Sequence, residues 1–138
     1  MNVYVDSSVL LRVVLGERGR LRTWTKITAA VSSELTRLEC LRTIDRARIR
    51  LRLDDDVVVE RRTAVMEALE AFNLVPVNRS VLERAADPFP VTLGSLDAIH
   101  LATAVLVRDQ FEGLRLATHD AALAAAARAV GFQVDGYR

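Results

Sequence analysis

The sequence is poor in cysteine, in lysine and in long hydrophobic runs, and each scarcity removes a class of protein. Cys40 is the only cysteine, so the chain can form neither an internal disulfide nor a multi-cysteine metal site. No apolar run approaches the roughly 18 residues that a membrane helix needs. The longest candidates, Leu101–Val107 and Ala121–Ala127, read as buried helix. The N-terminus does not read as a secretory leader: Asp6 falls within the first residues, no cluster of positive charge precedes it, and Arg12 interrupts the apolar stretch. A cytoplasmic protein without a membrane span is expected. Lys26 is the only lysine, so nearly all the positive charge is arginine. Arginine suits bidentate phosphate contacts, with a codon bias that also favours alanine as the competing explanation. The net charge of +1 is too balanced to imply nucleic-acid binding by itself.

What is present is enough for a core. The 138 residues are 51% hydrophobic and 27% charged, which fits one domain spanning residues 1–138. Strand-like and helix-like segments alternate. Val3-Tyr4-Val5 is a short β-rich run that stops at Asp6-Ser7-Ser8, a good helix start. Val9–Leu15 then supplies a helical stripe that Gly16 and Gly19 break. Ile27–Val31 is the second strand candidate, and Ser32-Ser33 offer a cap for a helix over Glu34–Arg50, with Leu35, Leu38, Leu41 and Ile44 facing inward. Asp54-Asp55-Asp56 opens a helix over Val57–Phe72. Leu74–Val77 is a third strand, and its Pro76 suggests a sheet edge. A short helix over Val81–Ala86, a longer one over Leu96–Val107, a strand at Leu114–Ala117, a helix to about Val130 closed by Gly131, and a fifth strand at Phe132–Val134 complete the pattern. Short apolar strands separated by helices predict a three-layer α/β/α fold around a mostly parallel sheet of four to five strands.

Ligands of such a sheet bind beyond the carboxyl ends of the strands. Asp6 follows the first strand and Asp120 lies just past the fourth, so two acids occupy equivalent places at one sheet edge. A single acid there is more commonly a helix cap, but two at matched positions shift the reading toward a shared site. Asp97 sits in the first turn of an otherwise apolar helix, where it complements the macrodipole but also needs a partner if buried. Glu39 lies between Leu38 and Cys40. Its alternative role is an ion pair with Arg42, three residues on. Glu34, beside the serine cap, reads as an ordinary first-turn charge.

Bringing four carboxylates together is costly. Two charges about 6 Å apart repel by roughly 3 kcal/mol at an effective dielectric near 20. The pairs of a four-acid cluster would together outweigh a typical domain stability of ~5–15 kcal/mol. Protonation or bound cations must relieve them, and hard divalent ions such as Mg²⁺ or Mn²⁺ suit oxygen ligands. His100, His119 and Cys40 supply no zinc-like spacing.

These segments resemble the PIN domain and, within it, the toxin ribonucleases of VapBC toxin–antitoxin modules. The resemblance rests on Val3–Ser8, on Ser33–Glu39, on Leu96-Asp97-Ala98-Ile99-His100-Leu101-Ala102-Thr103-Ala104, and on Thr118-His119-Asp120 followed by an alanine-rich helix. The third segment is the most specific. Asn73–Val91 matches too loosely to transfer any residue.

The resemblance implies that Asp6, Glu39, Asp97 and Asp120 form a catalytic metal site, with Asp6 and Asp97 its most regular ligands. Thr118 supports the acidic pocket and Ser7 is an expected hydrogen-bond donor to it. His100 reads as packing or support for the ligands, and His119 receives no role. The implied reaction is metal-dependent hydrolysis of an RNA phosphodiester by the toxin of a type II toxin–antitoxin pair. A homodimer and a cognate antitoxin that blocks the pocket are implied partners, and transfer, ribosomal or messenger RNA the implied targets. Arg42, Arg46 and Arg50, a turn apart, are candidates for RNA contact or for a solvated helix face.

Two other acid-rich classes are disfavoured. A phosphoacceptor receiver needs a lysine after a late strand, which Lys26 cannot supply. A dehalogenase-type phosphatase needs an acid where Ser8 stands. The remaining alternative is a PIN-fold module that binds an antitoxin or RNA without turnover.

Overall fold

Alternation along Val3-Tyr4-Val5 sets the two halves of the interior. In the computed structural model, which describes residues 1–138, Val3 and Val5 face one core while Tyr4 faces the other, as side chains on a strand must. This strand, β1 (Asn2–Val5), is the middle of a five-stranded sheet with β2 (Ala29–Ser33), β3 (Asn73–Val75), β4 (Arg115–Ala117) and β5 (Val134–Asp135). The order is β3-β2-β1-β4-β5 and every pairing is parallel, with Tyr4 opposite Val31 on one side and Leu116 on the other. All carboxyl ends therefore lie along one edge.

Six helices cover the sheet: α1 (Ser7–Val14), α2 (Glu34–Leu51), α3 (Asp55–Glu70), α4 (Arg79–Ala86), α5 (Ser95–Val107) and α6 (Ala121–Ala129). One core joins Val3, Val5, Val9 and Leu10 to Cys40 and Ile44 of α2 and Val65 and Leu69 of α3. The other joins Tyr4 and Leu116 to Leu101 and Ala104 of α5 and Leu123, Ala126 and Ala127 of α6. The result is the expected three-layer α/β/α arrangement. Ala98 and Ala102, one turn apart on α5, are buried, which lets that helix backbone approach its neighbours closely. No helix is long and apolar enough to cross a membrane.

Several expected boundaries move. The second strand occupies Ala29–Ser33 and not Ile27–Val31, because Ile27 still finishes the preceding turn, its amide donating to the Trp24 carbonyl, and only from Thr28 do amides reach across to Met1 beside β1. Ser32 is thus a strand residue and Ser33 alone caps α2. The fifth strand is Val134–Asp135 rather than Phe132–Val134, with Phe132 buried in the core just before it. The third strand is at an edge, as Pro76 suggests, but ends at Val75.

The inward face of α2 is also rotated from the leucine stripe. Thr36, Cys40 and Ile44 are buried at four-residue spacing beside Leu35, whereas Leu38 is 57% exposed. Small side chains at 36 and 40 let this face of α2 approach its neighbours closely, and the leucine turns outward. Ile44→Ala should therefore cost about 2–5 kcal/mol in urea unfolding, as buried aliphatic truncations do. Leu38→Ala should stay within about 0.5 kcal/mol of the parent; equal losses would restore the leucine-stripe phase.

Candidate active site

Asp6 is the residue around which the site is built. It ends β1 and caps α1, and only 4% of it is exposed. A buried carboxylate needs donors, and Asp6 has them. Oδ1 accepts from the Val9 amide (3.1 Å) and the Ser8 hydroxyl (2.7 Å), and Oδ2 accepts from the Thr118 hydroxyl (2.5 Å). The partial positive charge at the N-terminus of α1 adds to this.

The same network extends across the sheet edge to the end of β4. The His119 amide donates to Ser8 Oγ at 3.1 Å, and the Asp120 amide donates to Thr118 Oγ1 at 3.0 Å. Asp120 in turn caps α6 by accepting from the Leu123 amide at 2.8 Å. Both acids thus cap helices, as the simplest reading of each has it, and the hydroxyls of Ser8 and Thr118 also tie them into one network.

Glu39 reaches the site from α2. The expected pair with Arg42 does not form: Arg42 bonds Asp45, which also takes Arg48, while Glu39 meets His100 of α5. Glu39 Oε1 lies 2.5 Å from His100 Nε2, and Tyr4 Oη lies 2.7 Å from His100 Nδ1. A carboxylate only accepts, so Nε2–H donates to Glu39, while Nδ1 pairs with the Tyr4 hydroxyl. Burial, reinforced by the Asp6 charge, raises the Tyr4 pKa well above that of a free phenol, which keeps the hydroxyl protonated. His100 thereby links the central strand to α2 through two hydrogen bonds and an edge-on contact with the Tyr4 ring.

Asp97 lies in the first turn of α5, half-buried, and makes no side-chain hydrogen bond. Its pKa is raised by burial first and by the Asp120 charge next; His100 acts in the opposite sense, and Asp6 and Glu39 raise it further. One carboxyl group thus senses the other three acids, so the four meet in one electrostatic neighbourhood. Cys40 reports the same field from below: burial, with the Glu39 and Asp6 charges, pushes its thiol up to about 12, which rules out a ready thiolate.

The donor chemistry fits a hard divalent cation. After the protein's own hydrogen bonds are counted, Asp6 keeps lone-pair capacity on Oδ2, Glu39 keeps Oε2, Asp120 keeps Oδ2, and Asp97 keeps both oxygens. No three acidic, imidazole or thiol groups already stand as a closed ligand set, so uptake of a cation requires the freer side chains, Asp97 above all, to turn inward.

The serine hydroxyl on Asp6 is Ser8's and not that of the expected Ser7, which makes no side-chain hydrogen bond. The signal for Ser8 was its place two residues beyond a helix-capping acid, where a hydroxyl folds back on the carboxylate. Glu34 pairs with Arg37 at 3.2 Å on the surface, away from this network. His119 contributes its amide and directs Nδ1 to the Gly136 carbonyl at 2.9 Å.

A profile of the PIN domain matches residues 3–129. Two relatives from Mycobacterium tuberculosis align along nearly the full length. The protein named Ribonuclease VapC47 is 30% identical over 137 residues, covering 94% of this chain and 93% of its own. Ribonuclease VapC46 is 33% identical over 135 residues, covering 96% and 95%. Among solved structures, a toxin–antitoxin complex from Klebsiella pneumoniae superposes with a TM-score of 0.66 at 20% identity, over 99% of this chain and 96% of the other, which establishes the shared fold.

Two measurements probe this network. Because the fold raises the Asp97 pKa from 3.8, its contribution to stability is most favourable below that value and is lost as pH rises through the folded pKa. Asp97→Asn should therefore melt higher than the parent at pH 7 in chelator, and the gap should close on acidification below pH 4; an equal or lower melting temperature at pH 7 contradicts the repulsion. His100→Leu should cost about 1–3 kcal/mol in urea unfolding by stranding the buried Tyr4 hydroxyl, and an unchanged midpoint would show that the hydroxyl finds another partner.

Proposed function

The chain belongs to the PIN-domain family, and from that premise we propose that it is an endoribonuclease that acts as the toxin of a type II toxin–antitoxin pair. The observation that carries the catalytic part is the state of Asp97: a carboxyl group with free oxygens, held where the charges of Asp120, Asp6 and Glu39 all bear on it. Such crowding costs stability and suits a place where positive charge is gathered. The ribonuclease names of the two aligned relatives support the activity, and the superposed toxin–antitoxin complex supports the partner.

Asp6, Asp97, Asp120 and Glu39 would hold Mg²⁺ or Mn²⁺. Such an ion, when bound, supplies charge neutralisation and Lewis-acid polarisation of the phosphoryl group. The chain's own residues do the rest. Ser8, Thr118 and the Val9 amide fix the Asp6 carboxylate in one orientation. His100 ties one oxygen of Glu39 and leaves Oε2 to orient the attacking water, and Asp120 presents Oδ2 in the same way from its cap on α6. Water adds to phosphorus, one P–O ester bond breaks, and the departing oxygen takes up the proton that the water loses. A homodimer and an antitoxin that covers the acidic pocket complete the proposal.

One observation favours a second reading, a PIN-fold module that binds without turnover: the acids are not pre-assembled as a ligand set. Incubation of purified protein with total RNA in Mg²⁺ or Mn²⁺, then in chelator, separates the two. The nuclease should cut with either ion and stop when it is removed. Asp6→Ala and Asp97→Ala should each reduce cutting to background in folded protein, and Glu34→Ala should leave the rate unchanged. Cutting that persists in chelator sinks the metal-dependent mechanism, and failure to cut any RNA leaves the binding module.

A further inference from the structure

An acidic pocket repels the polyanion it is meant to cut, so the strand must be held by positive charge next to it. The arginine row on α2 is badly placed for this. That helix starts at the carboxyl edge of the sheet and runs away from it, and Arg50 lies eleven residues beyond Glu39, roughly 16 Å at ~1.5 Å per residue. Arg42 is paired with Asp45, and Arg46 is bonded to Thr43.

A second set of arginines lies elsewhere. The segment after α1 and the C-terminal residues enclose a cleft of about 540 Å³ lined by Arg20, Arg22, Arg128 and Arg138. Its size falls within the ~300–1,000 Å³ of small-ligand sites. Arg20 and Arg22 are exposed and form no hydrogen bond or ion pair. The single acid in the lining, Asp135, has both oxygens taken by Arg115. The cleft is therefore positive: Arg128 donates to the Tyr137 carbonyl, while Arg20 and Arg22 have no internal partner.

The cleft also shares a wall with the acidic pocket. His119 lines it, while the His119 amide bonds Ser8, the serine that holds Asp6, and the next residue is Asp120. That wall is closely fitted. Gly136 sits at φ +91, and a Cβ there would lie 2.7 Å from the Thr118 carbonyl and 3.2 Å from His119 Nδ1, so only glycine permits the approach. Three buried polar side-chain atoms of the molecule lack a hydrogen-bond partner, and two of them, Thr23 Oγ1 and His119 Nε2, belong to residues of this cleft.

We infer that this arginine cleft is a binding subsite for the phosphodiester backbone of the RNA strand that is cut at the acidic pocket, with Arg20 and Arg22 as its phosphate contacts. The inference rests on the ribonuclease reading. Arginine forks match phosphate oxygens, and the shared turn 118–120 lets one strand pass from the cleft to the acids.

The test is fluorescence anisotropy of a labelled single-stranded RNA in chelator, where binding is read without cutting, over a series of salt concentrations. Arg20→Gln/Arg22→Gln should bind about tenfold or more weakly at low salt and flatten the plot of log affinity against log salt by about 1.4, near 0.7 for each phosphate of a single strand that is no longer neutralised. Arg46→Gln/Arg50→Gln should match the parent. In the metal-containing cleavage assay the first variant should cut more slowly at limiting RNA. If the parent cuts RNA but Arg20→Gln/Arg22→Gln binds with parental affinity and slope, or the α2 variant shows the weakening instead, the cleft is not the subsite and the nuclease reading stands. If the parent neither binds nor cuts RNA, the nuclease reading falls and the inference with it.

Discussion

A single buried carboxylate organises this edge of the molecule. Asp6 ends the central strand, begins the first helix and is almost shut off from water, and burying an unpaired charge there would cost several kcal/mol. The chain meets that cost with three donors drawn from two distant segments, the start of α1 and the end of β4. The β1–β4 pairing, the Ser8–His119 contact and the cap on α6 then follow as parts of one hydrogen-bonded unit. Asp6 is thus rigid, while Asp97, with no hydrogen bond of its own, is the acid free to adjust.

The rest of the site balances opposing fields. Burial and the charges of Asp120, Asp6 and Glu39 raise the proton affinity of Asp97, and His100, set between Tyr4 and Glu39, opposes them. Beyond the turn 118–120 the sign reverses, and arginines, Arg20 and Arg22 among them without a partner, line the neighbouring cleft. A negative pocket thus lies directly beside a positive groove.

Much of this is legible in the sequence because it is local. A β-rich run ending in an acid at Val3–Asp6, and again at Leu114–Asp120, marks strand, sheet edge and helix cap together, and the parallel fold follows from the alternation. The phase of α2 is only partly legible: Leu35 and Ile44 are buried and Leu41 packs against the core as the stripe suggests, but Leu38 turns outward while the less apolar Thr36 and Cys40 go in. The partner of Glu39 lies 61 residues away, beyond what helix spacing can reveal, and spacing alone points to the nearby Arg42. The choice between Ser7 and Ser8 turns on the geometry of one helical turn. The arginine cleft has no sequence signature because its walls come from residues near 20 and near 130, which no single motif contains.

The sheet order has a consequence for synthesis. The central strand is flanked on one side by β4, and the hydroxyl that holds Asp6 is supplied 112 residues later, by Thr118. Chains emerge from the ribosome amino end first and domains fold as units. A nascent chain therefore carries three of its acids, Asp6, Glu39 and Asp97, in the open before the strand that locks the first of them exists. The acidic site is assembled only once the segment around Thr118 has been made, and a chain cut short before it leaves the Asp6 carboxylate without its Oδ2 donor.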